Sequence, residues 1–280
     1  MTSNQRVAVV TGSSSGNGYE TSLTLARNGF LTYATMRNLN KSENIKSLAE
    51  KEKLPLKIVQ LDVTDDRSVN NAMQSITAES NRIDVLVNNA GYPLSGAFED
   101  LGMEEIKAQY ETNLFGVIRV TQAVLPIMRK QKSGIIVNIS SVAGRFGFSV
   151  LSAYSSTKFA VEGLSESMAY ELEPFGIKVV LVEPGFIRTN IVNSTVVAKK
   201  SQDPNSPYSQ LMQNMATSFE HLMQVGSSPD VVAKVVLKAV TSENPSLRYL
   251  AGKDAEDWME AKRSMSDEEF YKMMKQNLVK

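Results

Sequence analysis

Short runs of apolar, mostly β-branched residues alternate along this chain with longer stretches whose apolar positions recur every three to four residues. The runs fall at Arg6–Thr11, Leu31–Arg37, Lys57–Leu61, Val85–Asn88, Gly134–Ile139, Lys178–Val182 and Leu247–Ala251. They are continuously apolar, as expected of strands buried on both faces of a parallel sheet. Between them, Tyr19, Leu23 and Ala26 share a helical face, with Gly29 at the expected helix end. Ile106, Tyr110, Leu114 and Val117 form a second stripe, and Val161, Leu164, Met168 and Leu172 a third, stopped by Pro174 and Gly176. Ser266 before Asp267, Glu268 and Glu269 reads as an N-cap. Strand–helix–strand repetition predicts an α/β fold, a doubly wound, mostly parallel seven-stranded sheet with helices on both faces. No repeat or interdomain linker interrupts the pattern. Residues 1–280 therefore read as a single domain, with a substrate loop at roughly 190–225. Within that loop the polar, turn-rich stretch 199–207 is either a plain surface loop or a flap beside a ligand cleft.

Composition narrows the choices. Hydrophobic residues are 42% of 280, enough for a sizeable core, and 30 basic residues balance 30 acidic ones. A neutral chain lacks the global basic field of a general nucleic-acid binder. There is no Cys and a single His, His221. Thiol chemistry and Cys-based metal sites are excluded, and no metal site is expected. No apolar run approaches the length of a membrane span, and Val7–Val10 is too short for a signal peptide. A cytoplasmic location is expected.

The first chemical signal follows the first strand: Thr11-Gly12-Ser13-Ser14-Ser15-Gly16-Asn17-Gly18, then a helix. Glycines let such a turn twist sharply and approach a phosphate, and the helix start offers free N–H groups and partial positive charge. Between a strand and a helix at the head of an α/β chain, this loop predicts a Rossmann-type dinucleotide site. The second strand ends Ala34-Thr35-Met36-Arg37-Asn38, with no acid to receive the ribose hydroxyls. Arg37 suits a 2′-phosphate instead, so NADP(H) is the preferred cofactor, with NAD(H) left open.

Tyr154 and Lys158 stand four apart, neighbours on a helix. A nearby ammonium favours a phenolate, so Lys158 is expected to lower the Tyr154 pKa from its usual value of about 10. Ser141 precedes Tyr154 by thirteen residues, and Asn113 sits inside an apolar stripe. With the glycine loop and Asn88-Asn89-Ala90-Gly91, these residues make the chain similar to the short-chain dehydrogenase/reductase family, and to its hydroxysteroid and retinol dehydrogenase branch. The likeness runs from about residue 6 to 192. Asn17 departs from it, standing where the family usually has an apolar residue.

The resemblance implies a catalytic set of Asn113, Ser141, Tyr154 and Lys158. Ser141 would orient the substrate oxygen, with Ser140 the weaker candidate. Asn113 would kink its helix and hold a water leading to Lys158. The implied cofactor residues are Gly12, Ser14, Ser15, Gly16, Asn17, Gly18, Arg37, Asp62, Val63, Asn89, Ala90, Gly91, Tyr154, Lys158, Pro184, Gly185, Ile187 and Thr189. Asp62 would receive the adenine amino group, or serve merely as a turn residue while Thr64 or Asp65 caps the next helix. Asn89 would tie strand ends together, Gly91 would leave room for the ligand, and Ile187 and Thr189 would meet the carboxamide.

The expected reaction interconverts a small hydrophobic secondary alcohol and its ketone or aldehyde by hydride transfer, with Tyr154 as general acid/base. The alternatives are a 3-oxoacyl-carrier thioester reductase and a non-catalytic dinucleotide-binding regulator. Substrate walls are expected from Leu94, Phe98, Phe146, Phe148, Val150, Leu151, Leu211, Met212, Met215 and Phe219, unless these are core. A homodimer or homotetramer through the helices around Ile106–Met128 and Tyr154–Leu172 is also implied.

Overall fold

The computed structural model describes residues 5–188 and 195–278, without the side chains of His221, Asn277 and Leu278. The elements run β1 Val7–Val10, α1 Gly16–Arg27, β2 Leu31–Met36, α2 Glu43–Lys51, β3 Leu56–Gln60, α3 Asp66–Ser80, β4 Val85–Asn88, β5 Leu94–Ser95 and α4 Met103–Tyr110. A wide π turn, Glu111–Phe115, leads into α5 Gly116–Gln131, β6 Gly134–Ile139, α6 Ser152–Leu172, β7 Ile177–Pro184 and β8 Val196–Val197. Then come α7 Ser209–Val225, α8 Pro229–Thr241, β9 Arg248–Ala251, α9 Lys253–Ser264 and α10 Asp267–Leu278.

The main sheet has seven strands in the order β3-β2-β1-β4-β6-β7-β9, and every pairing is parallel. Successive residues of a strand face opposite sides, and the core divides accordingly. Val7 and Val9 join Ile76, Val120 and Val124 on the α3–α5 side. Ala8 and Val10 join Val232 and Val236 on the α8 side. Strand order reverses between β1 and β4, which opens a crevice at their carboxyl ends.

All seven expected strands are present, β4 and β6 with the expected bounds and the other five with shifted ends. β3 departs from the expectation of full burial: it is an edge strand and only partly buried. The two-residue ribbon β5–β8 was not foreseen, because two residues carry no periodicity. The stripe Ile106, Tyr110, Leu114, Val117 is broken by the π turn, whose extra residue per turn rotates Asn113 into the interior at 1% exposure. Asp65 caps α3 through Arg67 and Ser68, so the Thr64 alternative falls. Ser266 and Glu269 form a reciprocal capping box before α10.

The 199–207 stretch is tied down. Asp100 accepts hydrogen bonds from Ser201 Oγ at 3.2 Å and Ser206 Oγ at 2.9 Å. Tyr208 donates to Glu99 at 2.7 Å, and the Lys199 N–H donates to Glu105 at 3.0 Å.

Candidate active site

A cavity of about 820 Å³ opens at the crevice between the β1 and β4 ends. Along its wall lie Gly12, Ser14, Ser15, Gly16 and Asn17 from the glycine loop, then Arg37, Asp62, Val63, Asn89, Ala90 and Gly91. Ser141, Tyr154, Lys158, Pro184, Gly185 and Ile187 complete it. Among the described residues, Gly18 and Asn113 are the expected site residues that do not. Thr189 lies outside the described residues.

Local chemistry explains the loop. Gly12 has φ +70°, and a Cβ there would sit 2.9 Å from the Ala90 Cα. A Cβ on Gly18 would overlap the Gly12 carbonyl and the Asn89 amide. Gly18 therefore serves the close packing of α1 on the loop rather than the cleft surface. Asn89 Nδ2 donates to Thr11 O at 2.9 Å and Gly12 O at 3.2 Å, while Asn89 N and Ala90 N donate to Thr11 Oγ1. Those bonds join the β1 and β4 ends, as expected of Asn89. A Cβ on Gly91 would meet Asn113 Oδ1 at 3.1 Å, so its nearest neighbour is Asn113 rather than open cleft.

The donor set suits a dinucleotide. No side chain caps the α1 start and no acid lies in its first turn, so its free N–H groups face the crevice. Two cleft-lining residues, Asn17 and Ser140, each hold a buried side-chain oxygen without a hydrogen-bond partner. Lys41 lines the same end of the cleft as Arg37 and adds a second cation that the strand-end reading missed. It arrives on the short helical turn Leu39–Lys41, opened by Asn38 accepting from the Asn40 N–H. Asp62 accepts from Thr64 N at 3.0 Å and Thr64 Oγ1 at 2.8 Å, so it acts as a turn residue on the cleft wall.

Tyr154 and Lys158 rise from the first turns of α6, one turn apart, with Lys158 Nζ 5.7 Å from the Tyr154 ring centroid. Lys158 Nζ donates to Ile139 O at 2.8 Å, at the end of β6. Burial pushes the Lys158 pKa down to about 8, opposed by the negative charge of Glu162 one turn further on. Burial pushes the Tyr154 phenol up to about 12, opposed by its hydrogen bond with Ser141. This corrects the expectation of an acidified phenol: desolvation wins, and the ammonium points to a carbonyl beyond the ring. Ser141 itself accepts from Ala143 N at 3.1 Å, and Ser140 is the buried neighbour with the free hydroxyl.

Asn113 stands behind this wall. Its Nδ2 donates to Tyr92 O at 2.9 Å and Thr157 Oγ1 at 3.3 Å, and its Oδ1 accepts from Tyr92 N at 3.0 Å. The helix distortion expected at Asn113 is there, as the π turn. Its side chain reaches α6 directly through Thr157.

The expected substrate walls need correction. Phe146, Phe148, Val150, Leu151 and Met215 are buried core, packed with Met259, Phe270 and Met274. Leu94 is buried in a separate cluster, and Phe98 is 79% exposed. A sequence cannot distinguish an apolar core from an apolar pocket, and here α9 and α10 cover these residues. Tyr92, Pro93, Ile187 and Val196 line the cleft instead.

Comparison with known proteins agrees with this geometry. The family model for short chain dehydrogenases matches residues 6–200. An uncharacterized oxidoreductase, YusZ, of Bacillus subtilis is 39% identical over 254 residues, covering 89% of this chain and 90% of the relative. Retinol dehydrogenase 8 of Bos taurus is 37% identical over 254 residues, covering 87% of this chain and 80% of that enzyme. The crystal structure of a short-chain dehydrogenase from Streptomyces avermitilis superposes with a TM-score of 0.83 at 34% identity, covering 94% of each chain. ElxO with NADP bound superposes with a TM-score of 0.74 at 30% identity, covering 89% of this chain and 97% of that one. Glycine loop, parallel sheet and cleft chemistry meet in one conclusion: this chain belongs to the short-chain dehydrogenase family and is an NAD(P)-dependent oxidoreductase.

Proposed function

We propose that the protein interconverts a small hydrophobic alcohol and its carbonyl compound, a secondary alcohol and its ketone or a primary alcohol and its aldehyde, using NADP(H), with Tyr154 as the proton-transferring group. The observation that carries this reading is convergence: Tyr154, Ser141 and Lys158 share one cleft with the glycine loop, Arg37 and Lys41. The free N–H groups at the α1 start would hold the pyrophosphate, and Arg37 with Lys41 the 2′-phosphate. When bound, the nicotinamide supplies or accepts the hydride.

The chain's own residues handle the oxygen and its proton. Ser141 orients the substrate oxygen by hydrogen bonding. With its pKa pushed up to about 12 by burial, Tyr154 is protonated at neutral pH and can donate that proton when the carbonyl is reduced. In that direction the carbonyl carbon gains a hydride and the oxygen takes the Tyr154 proton. Lys158, seated on the Ile139 carbonyl on the cleft wall, would hold the ribose hydroxyls and offset the charge of the phenolate left behind. Asn113 fixes the π turn and joins Tyr92 to Thr157 behind the cleft, and a water held there would carry protons toward Lys158.

A hydrophobic substrate is supported by the cleft's apolar border at Pro93, Ile187 and Val196, and by the retinol dehydrogenase among the relatives. Self-association is supported by Phe159 and Tyr170, exposed on one face of α6, with Met103 and Phe115 exposed at α4 and the π turn. Among the described residues, no helix is long and apolar enough to cross a membrane.

The test is Tyr154→Phe. NADPH oxidation against a panel of hydrophobic ketones and aldehydes should fall by about a hundred- to ten-thousandfold, the range for a lost general acid. NADPH binding by fluorescence should persist. Turnover within tenfold of wild type would reject the reading.

A further inference from the structure

Behind the cleft wall at Gly185–Ile187 lies support supplied from far along the chain. The Phe186 N–H donates to Asp254 Oδ2 at 2.6 Å, from the first turn of α9. A Cβ on Gly185 would overlap the Asp254 carboxylate, so only glycine lets the cleft wall lie flat against it. Gly252, at φ +113°, turns the chain so that Asp254 faces Gly185. One helical turn after Asp254, Trp258 packs edge-on against the Phe186 ring, with centroids 5.7 Å apart and planes at 78°. Residues four apart share a helix face, so α9 holds Phe186 twice, by its backbone N–H and by its ring. Gly185 N donates to Ala251 O at 3.1 Å, and Ser227 N donates to Phe186 O at 2.9 Å. These supports come from residues 227 and 251–258, beyond the 6–200 stretch that matches the family.

Asp254 Oδ1 is buried without a hydrogen-bond partner, and such a group costs stability. Gly185 and Ile187, the residues on either side of Phe186, are the ones that line the cleft. We propose that Asp254, with Trp258 one turn behind it, is a positioning residue that clamps Phe186 and so fixes the Gly185–Ile187 wall where the nicotinamide end of the cofactor rests. The inference depends on the dinucleotide reading above.

The test uses the full chain and two ligands: NADPH, and 2′-phospho-ADP-ribose, which lacks the nicotinamide. Isothermal titration calorimetry reads both titrations. Asp254→Ala should raise the NADPH dissociation constant at least about tenfold, the scale of a lost hydrogen bond to a charged group. It should leave the dissociation constant of 2′-phospho-ADP-ribose within twofold. Asp254→Asn, which keeps an acceptor for the Phe186 N–H, should restore NADPH binding to within threefold. Equal weakening of both ligands would mark a merely structural residue and overturn the clamp, as would unchanged NADPH binding. If Asp254→Ala does not fold, Trp258→Leu must show the same selective loss, read by calorimetry with both ligands, and its absence overturns the clamp. A wild-type chain that binds neither ligand would overturn the dinucleotide reading itself.

Discussion

The Lys158 ammonium donates to the Ile139 carbonyl at 2.8 Å while its charge lies 5.7 Å from the centre of the Tyr154 ring. The two groups share a wall without touching head to head. Both are dehydrated: the lysine is pushed down to about 8 and the phenol up to about 12.

That dehydration has a stability sign. A lysine whose folded pKa is lowered is harder to protonate in the native state, so it opposes folding below about pH 8. Stability is regained as pH rises from about 8 toward 10.5, where the unfolded chain holds the extra proton. Lys158→Met, which removes the buried charge and also its bond to Ile139, should stabilise the fold by about 2 kcal/mol at pH 7. Calorimetry should show a melting temperature higher by roughly 4 °C, with turnover lost. A lower melting temperature would contradict the argument. The phenol acts oppositely: its raised value adds stability that is present below about pH 10 and lost as pH climbs to about 12.

Arg37 and Lys41 should set cofactor choice. Arg37→Asp should weaken NADPH binding by roughly 10–100-fold, the scale of a charge-assisted contact, and leave NADH within a few-fold. Lys41→Ala should give a smaller loss in the same direction. Parallel titrations of the two dinucleotides check both.

Arg248 joins elements far apart in sequence. It bonds Glu162 at 3.0 Å and Glu166 at 3.1 Å on α6 and approaches Glu183 on β7 at 3.3 Å, while Arg145 holds Glu183 at 2.9 Å. Glu183 is 1% exposed, and burial pushes its pKa up against both guanidinium groups. Arg248→Ala should cost about 3 kcal/mol in urea unfolding, because two carboxylates lose a buried partner. Adding Glu162→Gln should recover part of that loss.

Asp100 seats the 199–207 stretch through Ser201 and Ser206. Asp100→Ala should free that segment beside β8, whose Val196 borders the cleft. The expected result is a KM for the carbonyl substrate raised several-fold, with the NADPH dissociation constant unchanged. Steady-state kinetics with saturating NADPH measures it.

Some of this molecule was set locally. Apolar runs at β1, β4, β6 and β7 form parallel strands because side-chain period and β-branching act over a few residues. The glycine loop needs Gly12 for its φ of +70° and Gly18 for its approach to the Gly12 carbonyl, both local to the turn, while Ala90 and Asn89 crowd the same glycines only in the folded chain. Tyr154 and Lys158 are neighbours because helix geometry places residues four apart together. Other features required the folded chain. The π turn at Asn113 depends on bonds to Tyr92 and Thr157. The aromatic and Met residues from Phe146 onward became core because α9 and α10, more than a hundred residues later, cover them. The phenol rises instead of falling because desolvation depends on everything packed around a group, whereas the Tyr–Lys spacing reports only one neighbour. Asp254 carried no local signal at all: its role arises where the end of β9 meets the end of β7, a contact that only the tertiary fold makes.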